Sequence, residues 1–338
     1  MKKTLIALAA VAATGAAFAQ SSVTLYGVAD VAVGKVGDAG TGLNNAVAKN
    51  FGATAAQANQ LSLSNNKFQA LANGFMNNGS SRWGIKGSED LGGGLKANFL
   101  FEAGVSLATG ATSDYTPAAT TFGRAAWVGL SGDLGEVRAG RQLTTSFASL
   151  ATWELTGAAN YSVVANQFLF AGAGSRDNAT ITYTSPSFSG FKVGAGTVLK
   201  GNNSDKSKYD MSLGYAAGPL TAAFAYNKTT DADASWNIGG KYNFGTFTVA
   251  GSYQNAGITN ADDKKGFTVG VSAPVGPVIL TADIARATTK AYKNTDFLLE
   301  AKYPLSKRTF AYGVVVRDGA VSGGKAVNGY AVGVRHNF

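Results

Sequence analysis

The stretch SSRWGIKGSEDLGGGLKANFLFE (residues 80–102) has the pattern of two strands joined by a tight turn. In its first half the apolar Trp83 and Ile85 alternate with the charged Arg82 and Lys86, and the second half alternates in the same way. Successive side chains of a strand point to opposite faces, so each half has one apolar and one polar face. Three consecutive glycines separate the halves, as in a tight turn. The stretch predicts an antiparallel hairpin.

The same pattern recurs along the chain in about sixteen runs, separated by clusters of Gly, Asn, Asp, Ser and Thr. Short turns, such as GDLG at 132–135, alternate with longer loops, such as 37–79 and 146–175. This layout is typical of an up-and-down antiparallel barrel, and no helical periodicity or Pro-rich linker interrupts it. The predicted fold class is an all-β barrel of sixteen strands. The runs are 22–36, 80–91, 94–107, 121–133, 135–145, 176–188, 190–201, 207–218, 220–230, 234–245, 246–257, 264–275, 277–289, 294–304, 308–318 and 325–338.

Composition indicates that this barrel is transmembrane. Charged residues make up 14% of the chain, against roughly 25% in soluble domains, yet no run of the mature chain is apolar for the ~20 residues of a membrane helix. A soluble β-sandwich also alternates, and a β-propeller would repeat at about 40–45 residues, a period that this sequence lacks. The aromatic residues favour the membrane because most of them fall near run ends, where interfacial girdles lie. Those assigned to the outer face are Trp83, Trp127, Tyr183, Tyr215, Trp236, Tyr242, Tyr253, Tyr303, Tyr330 and Phe338.

The first 19 residues have the features of a cleaved secretory signal peptide. Lys2 and Lys3 precede an apolar run, and Ala17-Phe18-Ala19 fits a cleavage site. We therefore predict a signal peptide at 1–19 and a single barrel domain at 20–338, with the formal charge falling from +9 to +7 on cleavage. No dense basic run or nucleic-acid module accompanies this charge, so nucleic acid is not an expected partner.

The chain ends GYAVGVRHNF (residues 329–338), an alternating strand that continues to the final Phe338. An unpaired strand edge in lipid leaves backbone N–H and C=O groups unsatisfied, so this strand is expected to pair with residues 23–29 and close the barrel. Phe338 is then expected in the lower aromatic girdle and His336 at the rim.

One charged residue breaks the alternation of its strand. Arg286 falls on the face that carries the apolar residues. Two explanations stay open: its long side chain reaches the membrane interface, or a bulge shifts the register of the strand.

Several stretches resemble the general porins of the Gram-negative outer membrane, most closely the beta-proteobacterial branch. They are LYGVADVAVG (25–34), residues 80–102, FGRAAWVGLSGDLGEVRAGRQ (122–142) and the ending at 329–338, and the resemblance covers essentially the whole mature chain. It implies a homotrimer of sixteen-stranded barrels in outer-membrane lipid and lipopolysaccharide, with the third extracellular loop folded into the lumen. It also implies that the carboxy-terminal signal, assigned to Phe338 and Tyr330, is read by the outer-membrane assembly machinery.

In this family an arginine cluster faces an acidic third loop across a constriction. The matching positions are Arg82, Arg124 and Arg176, and strand parity independently places Arg82 and Arg176 on the lumen side. The loop at 146–175 departs from the family because it lacks the Pro-Glu-Phe-Gly stretch and carries a single acid, Glu154. Other charges assigned to the lumen are Lys86, Lys96, Glu102, Arg138, Lys192, Asp283, Glu300 and Lys302.

The residue inventory argues against catalysis and cofactors. The only histidine, His336, has outward parity, and the chain has no cysteine, which excludes metal sites built from several His and Cys ligands. The acidic pairs at 231/233 and 262/263 are expected to be solvated loop residues rather than cation sites. No enzyme activity, metal or cofactor is predicted.

The sequence thus predicts a passive outer-membrane diffusion channel for ions and small hydrophilic solutes, with a preference for anions. A sixteen-stranded barrel is wide enough to hold an aqueous channel. Two alternatives stay open: a substrate-specific anion channel, and a barrel that acts mainly as an adhesin or structural surface protein.

Overall fold

The structure is a computed structural model that describes residues 22–37, 67–112, 120–168, 174–319 and 326–338. The predicted signal peptide at 1–19 lies outside these residues. All sixteen predicted strands are present, and the described chain contains one more, β2. The strands are β1 (Ser22–Val36), β2 (Gln69–Leu71), β3 (Arg82–Gly92), β4 (Leu95–Gly104), β5 (Ala125–Gly132), β6 (Gly135–Leu143), β7 (Arg176–Thr184), β8 (Phe191–Val198), β9 (Lys208–Ala217), β10 (Leu220–Thr229), β11 (Ser235–Asn243), β12 (Thr248–Ala256), β13 (Lys264–Val275), β14 (Val278–Ala287), β15 (Asn294–Pro304), β16 (Thr309–Asp318) and β17 (Val327–Asn337).

The long strands form one closed antiparallel barrel. Each strand from β3 to β17 pairs with its neighbour in sequence. Strand β1 closes the sheet, because its upper half pairs with β17 from Val28–Asn337 to Val36–Gly329, and its lower half pairs with β3. The short β2 pairs with residues 32–34 of β1 in the long connection where no strand was predicted. The sixteen-stranded barrel is therefore confirmed, with β2 as an addition at one seam.

The final strand pairs with β1, as expected, but with residues 28–36 rather than the predicted 23–29, because residues 22–28 pair with β3 instead. The Phe338 backbone N–H donates to the carbonyl oxygen of Gly27 at 3.0 Å, and the Gly27 N–H donates to the carbonyl oxygen of Phe338 at 3.0 Å. The Phe338 ring packs over Gly27, where an added Cβ would lie 2.2 Å from a ring carbon. Gly27 thus permits the ring to lie flat against the barrel seam. His336 lies at this end, with its Nδ1 2.8 Å from the Thr309 hydroxyl oxygen.

The two faces of the strands differ in polarity as the sequence predicted. Val128 and Leu130 on the outer face are 61% and 51% exposed, whereas the inward Glu300 is fully buried.

Arg286, the charged residue on the apolar face, is not explained by a bulge. Strands β13, β14 and β15 pair in continuous register around it. Its Nη1 instead donates to the Thr295 hydroxyl at 2.5 Å near the strand end. The structure therefore selects the side-chain explanation for this residue.

Trp127 was assigned to the outer girdle, and this assignment was wrong. Trp127 lies opposite Leu100 and Gly140, on the same face of β5 as the inward Ser131. The guanidinium of Arg138 lies over its ring, 4.2 Å from the centroid. A cation–π contact of this kind stabilises an indole ring next to water inside the barrel, so residue type alone misplaced it.

The connection between β6 and β7 contains two helices, α1 (Thr145–Trp153) and α2 (Val163–Asn166). Thr144 caps α1 by accepting a hydrogen bond from the Phe147 N–H, and Ser162 caps α2 in the same way from Ala165. Two short 3₁₀ helices occupy Lys200–Asn202 and Lys290–Tyr292. Within the described ranges, no helix is both long and apolar enough to span a membrane.

Candidate functional site

The inner wall carries a basic cluster around one carboxylate. Strand β3 presents Arg82, β4 presents Glu102, and the residue before β5 is Arg124. The Nε atom of Arg124 is 2.8 Å from Glu102 Oε1, and that of Arg82 is 3.3 Å from Oε2. The Tyr26 hydroxyl also donates to Oε2 at 2.6 Å. Two guanidinium groups therefore share one acid, and the predicted lumen charge Glu102 is the group that joins them.

A third arginine, Arg335 of β17, adjoins this cluster. Its Nη1 donates to Asn78 Oδ1 at 2.8 Å, and its Nε donates to Asn337 Oδ1 at 3.3 Å. Its guanidinium lies 5.9 Å from the centre of the Phe310 ring. Arg335 was not among the predicted lumen charges. Its inward parity in the strand at 329–338 is the signal in the sequence, whereas the family's arginine positions do not include it.

Arg176 lies beside Arg124, but its strand does not present it on the face that the sequence predicted. Parity placed it on one face with Thr180 and Thr182, but strand β7 contains a bulge: Thr180 pairs with Gly140, whereas Asp177 pairs with Gln142. The extra residue falls beside Ala179, whose φ is +47°. A bulge reverses the faces of the residues beyond it. Arg176 consequently lies opposite the exposed Leu143, and its Nε donates to the backbone oxygen of Arg124 at 2.8 Å. The shared face assigned to Arg176 was therefore wrong.

Glu154 is engaged within its own loop. Its carboxylate accepts hydrogen bonds from the hydroxyls of Thr156 and Ser162, each at 2.7 Å, and from the Ala158 N–H at 2.6 Å. Glu154 is only 2% exposed. In the described part of the chain, the acid that contacts Arg82 and Arg124 is thus Glu102 of the wall, whereas the sequence predicted Glu154 of the loop.

The segment 144–168, here called the inner segment, contacts polar residues of the barrel wall along its whole length. Near its start, the backbone N–H and hydroxyl of Ser146 donate to Asp210 on β9. Trp153 packs on Gly239 of β11, where an added Cβ would lie 2.4 Å from two indole carbons. Further contacts are Gln254 Nε2 to the Val164 oxygen at 3.1 Å, Gln167 Nε2 to Asn294 Oδ1 at 2.5 Å and Lys302 Nζ to the Thr156 oxygen at 3.0 Å.

Tyr161 fixes the middle of this segment. Its hydroxyl donates to Glu300 at 2.5 Å and accepts from Asn78 Nδ2 at 2.8 Å. Burial raises the pKa of the Tyr161 hydroxyl, and the neighbouring Glu300 carboxylate raises it further, so the hydroxyl keeps its proton. Lys302 completes the group with an ion pair to Glu300 at 2.9 Å. Asn78 therefore links Arg335 of the basic cluster to the inner segment.

The other charges assigned to the lumen fall on the inner parity of their strands. Arg138 pairs with Glu136 at 2.6 Å, and Lys86 lies 5.4 Å from the Tyr26 ring centre. Lys96 and Lys192 share the inward faces of β4 and β8. Asp283 is 3% exposed, and its Oδ2 has no hydrogen-bond partner in the described part of the chain.

Among the described residues, no group of three or more His, Cys, Asp or Glu side chains is arranged to hold a metal ion. The acidic pairs at 231/233 and 262/263 are not part of any such group. The wall offers charged and hydrogen-bonding groups along a polar interior, with guanidinium groups concentrated beside β3, β5 and β17.

Comparison with known proteins gives consistent matches. A family model described as Gram-negative porin matches residues 4–337. The outer membrane porin protein 32 of Delftia acidovorans is 33% identical over all of both chains, and an outer membrane porin of Bordetella pertussis is 29% identical, also over all of both. Among solved structures, the anion-selective porin from Comamonas acidovorans superimposes with a TM-score of 0.68 at 26% identity, covering 94% of this chain and 100% of that one.

Proposed function

The chain belongs to the family of Gram-negative porins, and from this premise we propose that it forms a water-filled channel of the outer membrane through which small anions diffuse in preference to cations. The observation that carries the proposal is the basic cluster on the inner wall, where the guanidinium groups of Arg82, Arg124 and Arg335 lie near one another and, among the described residues, the first two pair with the carboxylate of Glu102. The solved Comamonas porin, 26% identical, is described as anion-selective, which supports the same reading.

The range of the electrostatic force explains why such a cluster would select ions. At 0.15 M salt the Debye length is about 8 Å, comparable to the half-width of a narrowed barrel. Charges on the wall of a narrow section therefore act on an ion at its centre, whereas charges at a wide mouth are largely screened. Arginine stays protonated at any working pH, so the preference is expected to persist from acid to neutral conditions.

We propose that the inner segment supplies the narrow section. Its contacts with β9, β11, β12 and β15 are contacts with inward residues, which supports a position across the lumen of the kind that the third-loop resemblance implies. Trp153, Tyr161 and Phe168 in it are almost completely buried, which is the burial expected of a segment packed against the wall. The bulge in β7 puts Arg176 on the face opposite to the one that parity predicted, so the proposal does not rest on Arg176.

The proposed channel performs no chemistry and needs no cofactor. Its assembly is proposed to be a homotrimer in lipid and lipopolysaccharide, inserted by the outer-membrane assembly machinery after a signal peptide at 1–19 has been removed. The exposed aliphatic residues Val23 and Leu25 of β1, 67% and 64% exposed, supply an outer face suited to contact with another subunit.

Single-channel recording of the purified protein in planar bilayers tests the proposal. Large, ohmic conductance with a reversal potential of the sign for chloride preference, across a KCl gradient, is the expected result. Current that saturates at low concentrations of one anion would favour the substrate-specific channel. Absence of conductance would favour a structural or adhesive barrel, and a preference for potassium would contradict the assigned role of the basic cluster.

A further inference from the structure

We infer that Arg335 is the residue of the basic cluster that contacts passing anions directly, and that it contributes a selectivity determinant on the last strand of the barrel. The inference rests on the proposed channel function and goes beyond it by naming the donor. Nothing in the motifs at 80–102 or 122–142 points to this strand.

Arg335 differs from its two neighbours in its partners. Arg82 and Arg124 direct Nε at the Glu102 carboxylate, so part of their hydrogen-bonding capacity is used on an anion that is already present. The partners of Arg335 are the neutral amide oxygens of Asn78 and Asn337. These bonds use Nε and Nη1, and in the described part of the chain no carboxylate lies within ion-pair distance of Arg335. Its Nη2 group and its full charge thus stay available to a solute.

The nearest negative charge does not remove this availability. The carboxylate of Asp30 attracts Arg335, but it is fully buried. Its oxygens accept hydrogen bonds from the Asn77 side chain, the Gly79 N–H and the Tyr312 hydroxyl, at 3.0, 3.0 and 2.7 Å. Asp30 therefore holds the turn before β3 in place through these hydrogen bonds. Its negative charge weakens the positive potential around Arg335, but the two residues form no ion pair.

The position of Arg335 is defined by the chain around it. Arg82 Nη1 donates to the backbone oxygen of Ser80 at 3.0 Å, while Arg335 Nη1 donates to Asn78, so two strands hold the same short turn from two sides. An added Cβ on Gly79 would lie 2.9 Å from Arg335 Nη1. The charges of Arg335, Arg82 and Arg124 are close enough to interact with one another. A guanidinium fixed in this way loses little freedom when an anion arrives.

The test compares reversal potentials of Arg335→Gln, Arg335→Lys and the wild type across a KCl gradient. Arg308→Gln serves as the matched control, because it removes the same charge at an exposed turn outside the barrel wall. Arg335→Gln is expected to lower the chloride-to-potassium permeability ratio about three- to tenfold, from the Coulomb energy of a unit charge a few ångströms from the ion. Arg335→Lys, which keeps the charge, and Arg308→Gln are expected to stay within about twofold of wild type.

A second variant protects the test against misfolding. Asn337→Asp leaves Arg335 in place but gives its Nε a carboxylate partner, and it is expected to lower the ratio in the same direction. A chloride-selective wild type with Arg335→Gln and Asn337→Asp both unchanged would overturn the inference alone. A wild type with no conductance or no chloride preference would instead overturn the proposed function, so the two failures are distinguishable.

Discussion

Replacing Glu102 by Gln is expected to make the channel more selective for chloride. Glu102 is the carboxylate between Arg82 and Arg124, with Nε–oxygen distances of 3.3 and 2.8 Å. The amide removes one negative charge, keeps the shape of the side chain and can still accept a hydrogen bond. The side chains of Arg82 and Arg124 are 22% and 11% exposed, so water can reach the positive charge that the lost carboxylate no longer offsets.

The size of the effect follows from Coulomb's law with screening. For an ion about 6 Å from the carboxylate in water, the unscreened energy is about 0.7 kcal/mol, and a Debye length of about 8 Å at 0.15 M salt reduces it by about half. Chloride and potassium energies change by opposite amounts, so the permeability ratio is expected to rise about threefold. At 0.01 M salt, where the Debye length is about 30 Å, the expected rise is about sevenfold.

Reversal potentials measured at the two ionic strengths test both the sign and the salt dependence. Glu89→Gln is the matched control, because it makes the same chemical change at the exposed turn end of the same hairpin, and it is expected to alter the ratio by less than about 1.5-fold at 0.15 M salt. Heat-dependent gel migration verifies that each barrel is folded. A Glu102→Gln channel with unchanged selectivity, or one shifted toward potassium, would refute the assignment of this carboxylate to the permeation path.

Four further predictions follow from the fold. Unheated gel electrophoresis should show an SDS-resistant species of three chains, and a monodisperse monomer in mild detergent would contradict this. Deleting Phe338 should reduce the outer-membrane yield in cells more than the refolding yield in detergent, since the half-exposed ring contributes a few kcal/mol at most; equal cellular yields would exclude an assembly role. Gly239→Ala should displace Trp153 and change single-channel conductance, because the added Cβ would lie 2.4 Å from the ring, whereas Gly251→Ala meets its nearest atom at 3.5 Å and should not. Arg82→Glu should reduce or reverse the chloride preference, and unchanged selectivity would argue against Arg82 as a lumen charge.

The barrel was predictable because its signal is repeated in every strand. The alternation of apolar and polar residues identifies a strand even where its predicted ends are slightly misplaced. Each of the sixteen predicted runs lies within a few residues of an observed strand. The girdle assignment of Trp127 failed because an aromatic ring is stable both at the membrane interface and under an arginine inside the barrel.

The arrangement of the charges was harder to predict, since it depends on contacts between distant segments. The bulge in β7 coincides with a positive φ at Ala179. A positive φ is uncommon for alanine, so the sequence does not predict a bulge at this position. The pairing of Glu102 with Arg82 and Arg124 depends on strand register, and the bond between Arg335 and Asn78 joins residues 257 positions apart in the sequence. Arg335 has inward parity in its strand, but only its partners in the structure distinguish it from the other arginines.

The seam between β1 and β17 has a consequence for how quickly the barrel can form. The other strand pairs of the barrel join elements much closer in sequence, and even the pair of β1 with β3 joins Val28 to Arg82, whereas this pair joins Val28 to Asn337 and must wait until both ends meet. Contacts between such remote residues are slow to form, and until they do two strand edges stay unsatisfied and prone to pair with other chains. A cell that makes this protein therefore has to shield an open sheet during transit, and variants that weaken the seam should show first as slow maturation and aggregation rather than as altered conductance.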